Sequence, residues 1–171
     1  AVEVARLGVW MFNVHAIGGG EMMRKTVENV REVCERENLV QPKIIAVTVL
    51  TSADRETLKE VGIETEMHRQ VLKLAQLASK CDLDGVVASP LEVREIRENV
   101  GKEDFLIVTP GIRNSSFDGT NRIVETSDDQ KRVMTAKDAV AAGADYLVIG
   151  RPILQAEDRI AAARKIIEEI V

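Results

Sequence analysis

The sequence has 171 residues, of which 45% are hydrophobic and 30% are charged, and its formal net charge is −5. These values predict one soluble globular domain that can bury a substantial core. The acidic balance and the lack of a basic block disfavour a nucleic-acid binder. No apolar run approaches the ~18 residues of a membrane span, and no signal-peptide pattern opens the chain.

The N-terminal stretch reads as the end of a helix. Residues Ala1 to Leu7 have a helical pattern that Gly8 stops, since glycine commonly follows a helix. No capping signal precedes this stretch. A helix without its own start signal predicts further residues upstream of Ala1.

A unit of strand, loop and amphipathic helix recurs five times along the chain. The predicted strands are Val9 to Val14, Ile44 to Leu50, Gly85 to Ala88, Phe105 to Val108 and Tyr146 to Ile149. The predicted helices run over Gly20 to Glu37, Asp54 to Val61, Glu66 to Lys80, from Pro90 onward, from Thr135 to Ala142, and over the C-terminal residues. Strands that alternate with helices predict a parallel sheet with right-handed crossovers.

The two cysteines give no sign of a metal site. Cys34 and Cys81 lie far apart, on stretches that both read as helical, and their spacing fits no metal-binding motif. We therefore expect two reduced thiols in a cytoplasmic protein.

Polar residues follow the predicted strands, where parallel α/β sheets bind their ligands. This group consists of His15, Thr51, Ser52, Ser89, Arg113 and Arg151. Because arginine pairs with phosphate or carboxylate through two hydrogen bonds, the set predicts an anionic ligand that also accepts hydrogen bonds.

The clearest of these strand ends is the run from Tyr146 to Pro152. Its short apolar part is typical of a strand buried on both faces. Gly150 would let the backbone approach a ligand, and Arg151 with the next helix N-terminus would bind a phosphate. We interpret the run as the last strand of an α/β barrel that opens onto a phosphate site. The alternative is an ordinary strand-to-helix turn with a solvated arginine.

Five segments of the sequence, taken together and in this order, resemble the bacterial form of the orotidine 5'-phosphate decarboxylase family. They are Leu7 to Ala16 with Gly18-Gly19 and Met22-Met23, Val47 to Ser52, Thr109 to Arg113, Asp128 to Thr135, and Gly150 to Ile153. The segments span nearly the whole chain, and their common order makes the resemblance specific.

The resemblance implies a (β/α)8 TIM barrel that works as a homodimer, with no metal and no organic cofactor. It implies conversion of orotidine monophosphate (OMP) to UMP and CO₂ in de novo pyrimidine biosynthesis. By position, Thr51 resembles the residue that contacts the pyrimidine. Arg113, Gln130, Gly150 and Arg151 resemble the group that binds the 5'-phosphate, and Gln130 also reaches toward the base.

The family's catalytic Asp-x-Lys-x-x-Asp motif does not occur in this sequence. We therefore expect residues 1–171 to form a single domain that corresponds to barrel strands four to eight, without the N-terminal third. The motif is expected upstream of Ala1, so no catalytic residue is assigned here, and the 171-residue chain alone is predicted to be inactive.

The connection between Arg113 and Gln130 departs from the family pattern, because residues 114–127 make it longer than usual. The extra residues, rich in Ser, Asn, Asp, Thr and Gly, read as a loop. They either enlarge a lid over the phosphate or bulge into solvent.

Two other functions remain open from the sequence. A phosphosugar lyase or synthase on a related barrel would share the phosphate-binding residues. A non-catalytic phosphate-binding half-barrel would instead pair with another chain through its open sheet edges.

Overall fold

The computed structural model describes residues 1–113 and 132–171, and its strands form one parallel sheet. The strands are β1 (Met11–His15), β2 (Lys43–Val47), β3 (Gly85–Val87), β4 (Leu106–Thr109) and β5 (Tyr146–Leu147). They are ordered β1-β2-β3-β4-β5, and each pairs in parallel with the next strand of the chain. The predicted α/β class and strand arrangement are therefore confirmed.

Helices connect the strands, as parallel pairing requires. They are α1 (Val2–Arg6), α2 (Gly19–Glu37), α3 (Arg55–Glu60), α4 (Met67–Lys80), α5 (Val93–Val100), α6 (Ala136–Ala141), α7 (Arg151–Leu154) and α8 (Arg159–Ile170), with a 3-10 turn at Ala16–Gly18. The amphipathic character predicted for the helices is confirmed in α2 and α4, because Met23 and Val30 of α2 and Val71 of α4 are fully buried. None of the helices described has both the length and the apolar character that crossing a bilayer would require.

The sheet is strongly curled. The rings of Trp10, just before β1, and Tyr146, in β5, meet edge to face with their centroids 5.1 Å apart. A flat sheet would separate these two strands by about 19 Å, and side chains stand roughly perpendicular to a sheet. The contact between the first and last strands therefore shows that the sheet bends as the wall of a barrel does.

Several predicted boundaries were displaced. β1 begins at Met11 and not at Val9, because the chain turns at Gly8 with φ +70°. Helix α5 begins at Val93 and not at Pro90, because Glu92 N–H donates to the Ser89 carbonyl and closes a turn before the helix starts. The apolar face of α8 is only partly buried: Ile166 is buried, whereas Ile160 and Ile167 are exposed.

Two aspartates fix the amino ends of the strands. Asp84, just before β3, accepts a 2.8 Å hydrogen bond from the backbone N–H of Ile44 in β2. Asp145, just before β5, accepts one of 2.6 Å from Ile107 in β4. Each aspartate thus ties its own strand to an earlier neighbour in the sheet, which sets the register of the carboxyl ends.

Close packing of β3 against β4 gives a test of the sheet. Gly85 pairs with Leu106, and a Cβ at Gly85 would clash with the Leu106 carbonyl and lie 2.7 Å from its Cβ. Gly85→Ala is expected to lower the free energy of unfolding by about 1–3 kcal/mol, measured by urea denaturation. Gly18→Ala is the matched control, because within the part of the chain that the structure describes its new Cβ would meet only the flexible side chain of Met22. Equal stability of the two variants would contradict this packing.

Candidate functional site

Arg113 and Arg151 follow neighbouring strands at the same edge of the sheet. Thr109 of β4 pairs with Leu147 of β5, and the pairing continues with a 2.9 Å hydrogen bond from Val148 N–H to the Thr109 carbonyl. Each arginine lies four positions beyond its member of the Thr109–Leu147 pair. The structure therefore places both arginines at the carboxyl edge, on adjacent chain segments.

Gly150 forms the tip that follows β5. Its carbonyl accepts hydrogen bonds from Ile153 N–H at 3.0 Å and Leu154 N–H at 2.9 Å, which close the single turn of α7. Among residues 1–113 and 132–171, no atom outside its chain neighbours lies within 4 Å of where a Cβ of Gly150 would stand. A ligand can therefore approach this backbone. Because α7 spans four residues, its dipole is short, and the arginines are the stronger part of the predicted phosphate site.

The tip of β4 is held by a second backbone pairing. Gly111 takes a φ of +80°, which suits glycine, and Ile112 then forms a parallel bridge with Met134. Arg113 N–H donates to the Met134 carbonyl at 3.0 Å, and Met134 N–H donates to the Gly111 carbonyl at 3.3 Å. The backbone of Arg113 is thus fixed by the residues that precede α6.

Thr51 lies in a tight turn after β2 and is 7% exposed. Ala53 N–H donates to the Leu50 carbonyl at 2.9 Å and closes this turn, here called the Thr51 turn (Leu50–Ala53). Asp54 then caps α3 by accepting a 2.9 Å hydrogen bond from Thr57 N–H. The Thr51 turn is therefore held between the end of β2 and the start of α3.

A buried ion pair that was not predicted from the sequence lies behind the Thr51 turn. Arg132 Nη1 donates to Glu92 Oε1 at 2.6 Å, and both side chains are less than 10% exposed. Arg132 Nη2 donates to the Leu50 carbonyl at 3.0 Å and reaches the Val49 carbonyl at 3.4 Å. One guanidinium thus joins the segment before α6 to the tips of β2 and β3.

Glu92 is in an unfavourable place for a charge. Burial raises its pKa above the ordinary value, and the Arg132 charge, with the Ser89 hydroxyl, opposes this effect. Its second carboxylate oxygen and Arg132 Nε are buried without a hydrogen-bond partner among the described residues. The pair is therefore held by its direct contact and by the backbone carbonyls that Arg132 binds.

Four of the five predicted site residues lie at the carboxyl edge: Thr51, Arg113, Gly150 and Arg151. Thr51 follows β2 and is separated from the arginines by the tip of β3. Gln130 lies outside the described residues, as does the long connection 114–127. Residues 1–113 and 132–171 contain no group of three His, Cys, Asp or Glu placed to hold a metal ion.

The sequence carried only a weak signal for the buried pair. Arg132 belongs to the segment Asp128 to Thr135 that carries the family resemblance, and Glu92 follows Pro90 in a strand-end loop. Their separation of 40 positions is bridged only by the tertiary fold. A charged residue beside a strand end looks the same in the sequence whether it is solvated or buried.

Curated relatives match the chain over its full length. The protein named orotidine 5'-phosphate decarboxylase from Geobacter metallireducens is 54% identical over 171 residues, and the one from Citrifermentans bemidjiense is 51% identical over 170 residues. The matched part covers 67% of each relative. The chain therefore spans about two thirds of the length of these relatives.

Solved structures share the fold. A crystal structure of orotidine 5'-phosphate decarboxylase from Lactobacillus acidophilus has a TM-score of 0.78 and 36% identity, with 99% of this chain and 66% of that one covered. The one from Pyrococcus horikoshii has a TM-score of 0.64, 26% identity and similar coverage, 99% and 66%. The sequence model of one family, "Orotidine 5'-phosphate decarboxylase / HUMPS family", matches residues 1–166. With this match, the curled parallel sheet and the relatives' identity, the chain belongs to the orotidine 5'-phosphate decarboxylase family.

Proposed function

We propose that the protein carrying this chain converts orotidine 5'-monophosphate to UMP and CO₂, in de novo pyrimidine biosynthesis. The observation that carries the proposal is the placement of Arg113 and Arg151 on neighbouring strand tips, beside the open backbone of Gly150. The relatives that match the whole chain at 51–54% identity are named for this activity.

In this proposal the chain supplies the substrate-binding part of the site. Arg113 and Arg151 neutralise the phosphate dianion through charge-assisted hydrogen bonds, and the backbone at Gly150 lies close to the same group. The Thr51 hydroxyl contacts the pyrimidine. Gln130, which the resemblance adds to this set, completes the contacts between phosphate and base.

Binding the phosphate can assist chemistry at a distance. Energy from a remote, non-reacting group can orient and strain the reacting ring, which lowers the barrier to loss of CO₂. In the reaction, the bond between C6 and the carboxylate carbon breaks, its electron pair stays on C6, and a proton then adds there. We assign none of these chemical steps to residues of this chain, because the Asp-x-Lys-x-x-Asp motif does not occur in it.

The division between binding and chemistry can be tested directly. The complete protein is expected to decarboxylate OMP, and a polypeptide of these 171 residues alone is expected to release no CO₂. The assay is the absorbance change on conversion of OMP to UMP. Turnover of OMP by the 171-residue polypeptide would contradict the assignment of catalysis to residues outside it.

Ligand preference tests the substrate class independently of turnover. The complete protein should bind UMP more tightly than ribulose 5-phosphate, since both carry a phosphate and only UMP carries a pyrimidine. Isothermal titration calorimetry gives both affinities. Preference for ribulose 5-phosphate would instead favour a phosphosugar lyase or synthase.

The further parts of the proposal concern assembly and cellular location. We propose a cytoplasmic homodimer that needs no metal or organic cofactor, as the resemblance implies. The two cysteines are both buried and free, which suits a reducing compartment. Sedimentation velocity of the complete protein tests the dimer, and a monomer at micromolar concentration would contradict it.

A further inference from the structure

We propose that Arg132 is a positioning residue of the substrate site. It holds the Thr51 turn in a fixed place relative to Arg113, so that the base and the phosphate of one nucleotide are recognised together. This inference rests on the proposed function, in which Thr51 contacts the base and Arg113 binds the phosphate. Arg132 itself lies behind the turn and acts through its backbone.

The first link runs from Arg132 to the base side. Its Nη2 donates to the Leu50 carbonyl at 3.0 Å, and the same carbonyl accepts the 2.9 Å hydrogen bond from Ala53 N–H that closes the Thr51 turn. A carbonyl oxygen has two lone pairs, and here both have a donor. The Leu50 carbonyl oxygen therefore fixes the position of Arg132 relative to the Thr51 turn.

The second link runs from Arg132 to the phosphate side. Two residues further along the chain, Met134 pairs with the tip of β4: its carbonyl accepts from Arg113 N–H at 3.0 Å and its N–H donates to the Gly111 carbonyl at 3.3 Å. The segment 132–134 therefore binds the backbone of Arg113 at one end and the Thr51 turn at the other. These two tips follow β2 and β4, with β3 between them.

Glu92 makes the link rigid. It accepts from Arg132 Nη1 at 2.6 Å and comes from the loop after β3, the strand between the two tips. The guanidinium is planar, so bonds from Nη1 to Glu92 and from Nη2 to Leu50 fix its orientation as well as its position. A lysine has a single charged nitrogen and cannot hold both partners in this geometry.

Arg97 offers a matched comparison within the same fold. It also donates to backbone carbonyls, those of Gly143 and Phe105, and to a carboxylate, that of Asp145. These partners precede β4 and β5, so Arg97 lies at the amino edge of the sheet, away from the strand tips. The two arginines make the same kinds of contact at opposite edges.

The experiment compares UMP with ribose 5-phosphate, which carries the phosphate without the base. Affinities are measured by calorimetry on the complete protein and on its Arg132→Lys, Arg97→Lys and Thr51→Ala variants. Arg132→Lys should weaken UMP binding by about tenfold and ribose 5-phosphate binding by less than about threefold, the loss expected for one displaced base contact. Thr51→Ala should likewise weaken UMP binding more than ribose 5-phosphate binding. The double variant Thr51→Ala/Arg132→Lys should lose no more UMP affinity than either single variant.

Arg97→Lys is expected to lower the melting temperature and to leave the ratio of the two affinities unchanged. Equal weakening of both ligands in Arg132→Lys, or no weakening of either, would overturn the inference and leave Arg132 with a purely structural role. Additive losses of UMP affinity in Thr51→Ala/Arg132→Lys would overturn the inference as well. A wild-type protein that does not prefer UMP to ribose 5-phosphate would overturn the proposed function itself, and the inference with it.

If Arg132→Lys does not fold, the same two affinities are measured on the double variant Glu92→Met/Arg132→Met, because it removes both buried charges at once. The same split between UMP and ribose 5-phosphate is expected. A double variant with the wild-type affinity ratio would overturn the inference.

Discussion

Arg113→Ala and Arg151→Ala should each weaken UMP binding by about 10- to 150-fold. Each change removes hydrogen bonds between a guanidinium and the phosphate dianion, and such bonds contribute roughly 1.5–3 kcal/mol, with about 1.4 kcal/mol for each factor of ten. The two side chains lie on neighbouring strand tips at the carboxyl edge, so both are expected to contact the same phosphate. Calorimetric titration with UMP gives the affinities.

Uridine separates loss of the phosphate contact from damage to the fold, because it keeps the base and ribose and lacks the phosphate. The two variants should bind uridine as the wild type does. Arg31→Ala is the matched control. Arg31 is exposed in the middle of α2, so its substitution removes the same charge far from the strand tips. UMP affinity unchanged in both site variants, or lost equally in Arg31→Ala, would contradict the phosphate site.

Local patterns predicted much of this fold. Met23, Val27 and Val30 recur at helical spacing within the amphipathic helix predicted over Gly20 to Glu37, and all three are buried in α2. A helix was predicted from Thr135, and the Thr135 hydroxyl accepts a 3.1 Å hydrogen bond from Asp138 N–H at the start of α6. Periodicity and capping act within a few residues, so the sequence displays them directly. The family resemblance is likewise confirmed by relatives that match the whole chain.

The contacts that the sequence could not predict are those that cross between chain segments. Nothing near Trp10 in the sequence indicates that its ring meets the ring of Tyr146. The Arg132–Glu92 pair likewise exists only because curled parallel strands gather their tips. The candidate site residues were chosen by their type and by their place at strand ends, whereas the groups that hold them depend on packing over long separations.

Glu92→Met is expected to lower the free energy of unfolding by about 3–5 kcal/mol, the typical cost of removing one partner from a buried ion pair. The substitution leaves the Arg132 guanidinium buried without a counter-charge, and water reaches it poorly because the side chain is 9% exposed. Urea denaturation of the complete protein measures the change. A loss below about 1 kcal/mol, as for a surface pair, would show that the pair is solvated.

The sign of the pH dependence follows from the raised pKa of Glu92. The folded state keeps the Glu92 proton to a higher pH than the unfolded chain does, so ionisation of this group costs stability as pH rises from the ordinary glutamate pKa through the raised one. Relative to Glu92→Gln, which does not titrate, the wild type should therefore gain stability as pH falls through this window. Denaturation of both proteins from about pH 4 to about pH 8 gives the difference. An opposite slope would mean that Arg132 outweighs the burial of the carboxylate.

The double variant Glu92→Met/Arg132→Met should recover most of the stability that Glu92→Met loses. It leaves no buried charge, and replacing a buried ion pair by apolar side chains of similar size is often neutral or stabilising. The Leu50 carbonyl keeps its hydrogen bond from Ala53 N–H, so the double variant does not leave this oxygen without a donor. A stable protein that nevertheless discriminates poorly between UMP and ribose 5-phosphate would show that the buried pair is retained for the geometry of the site, since apolar packing would serve stability equally well.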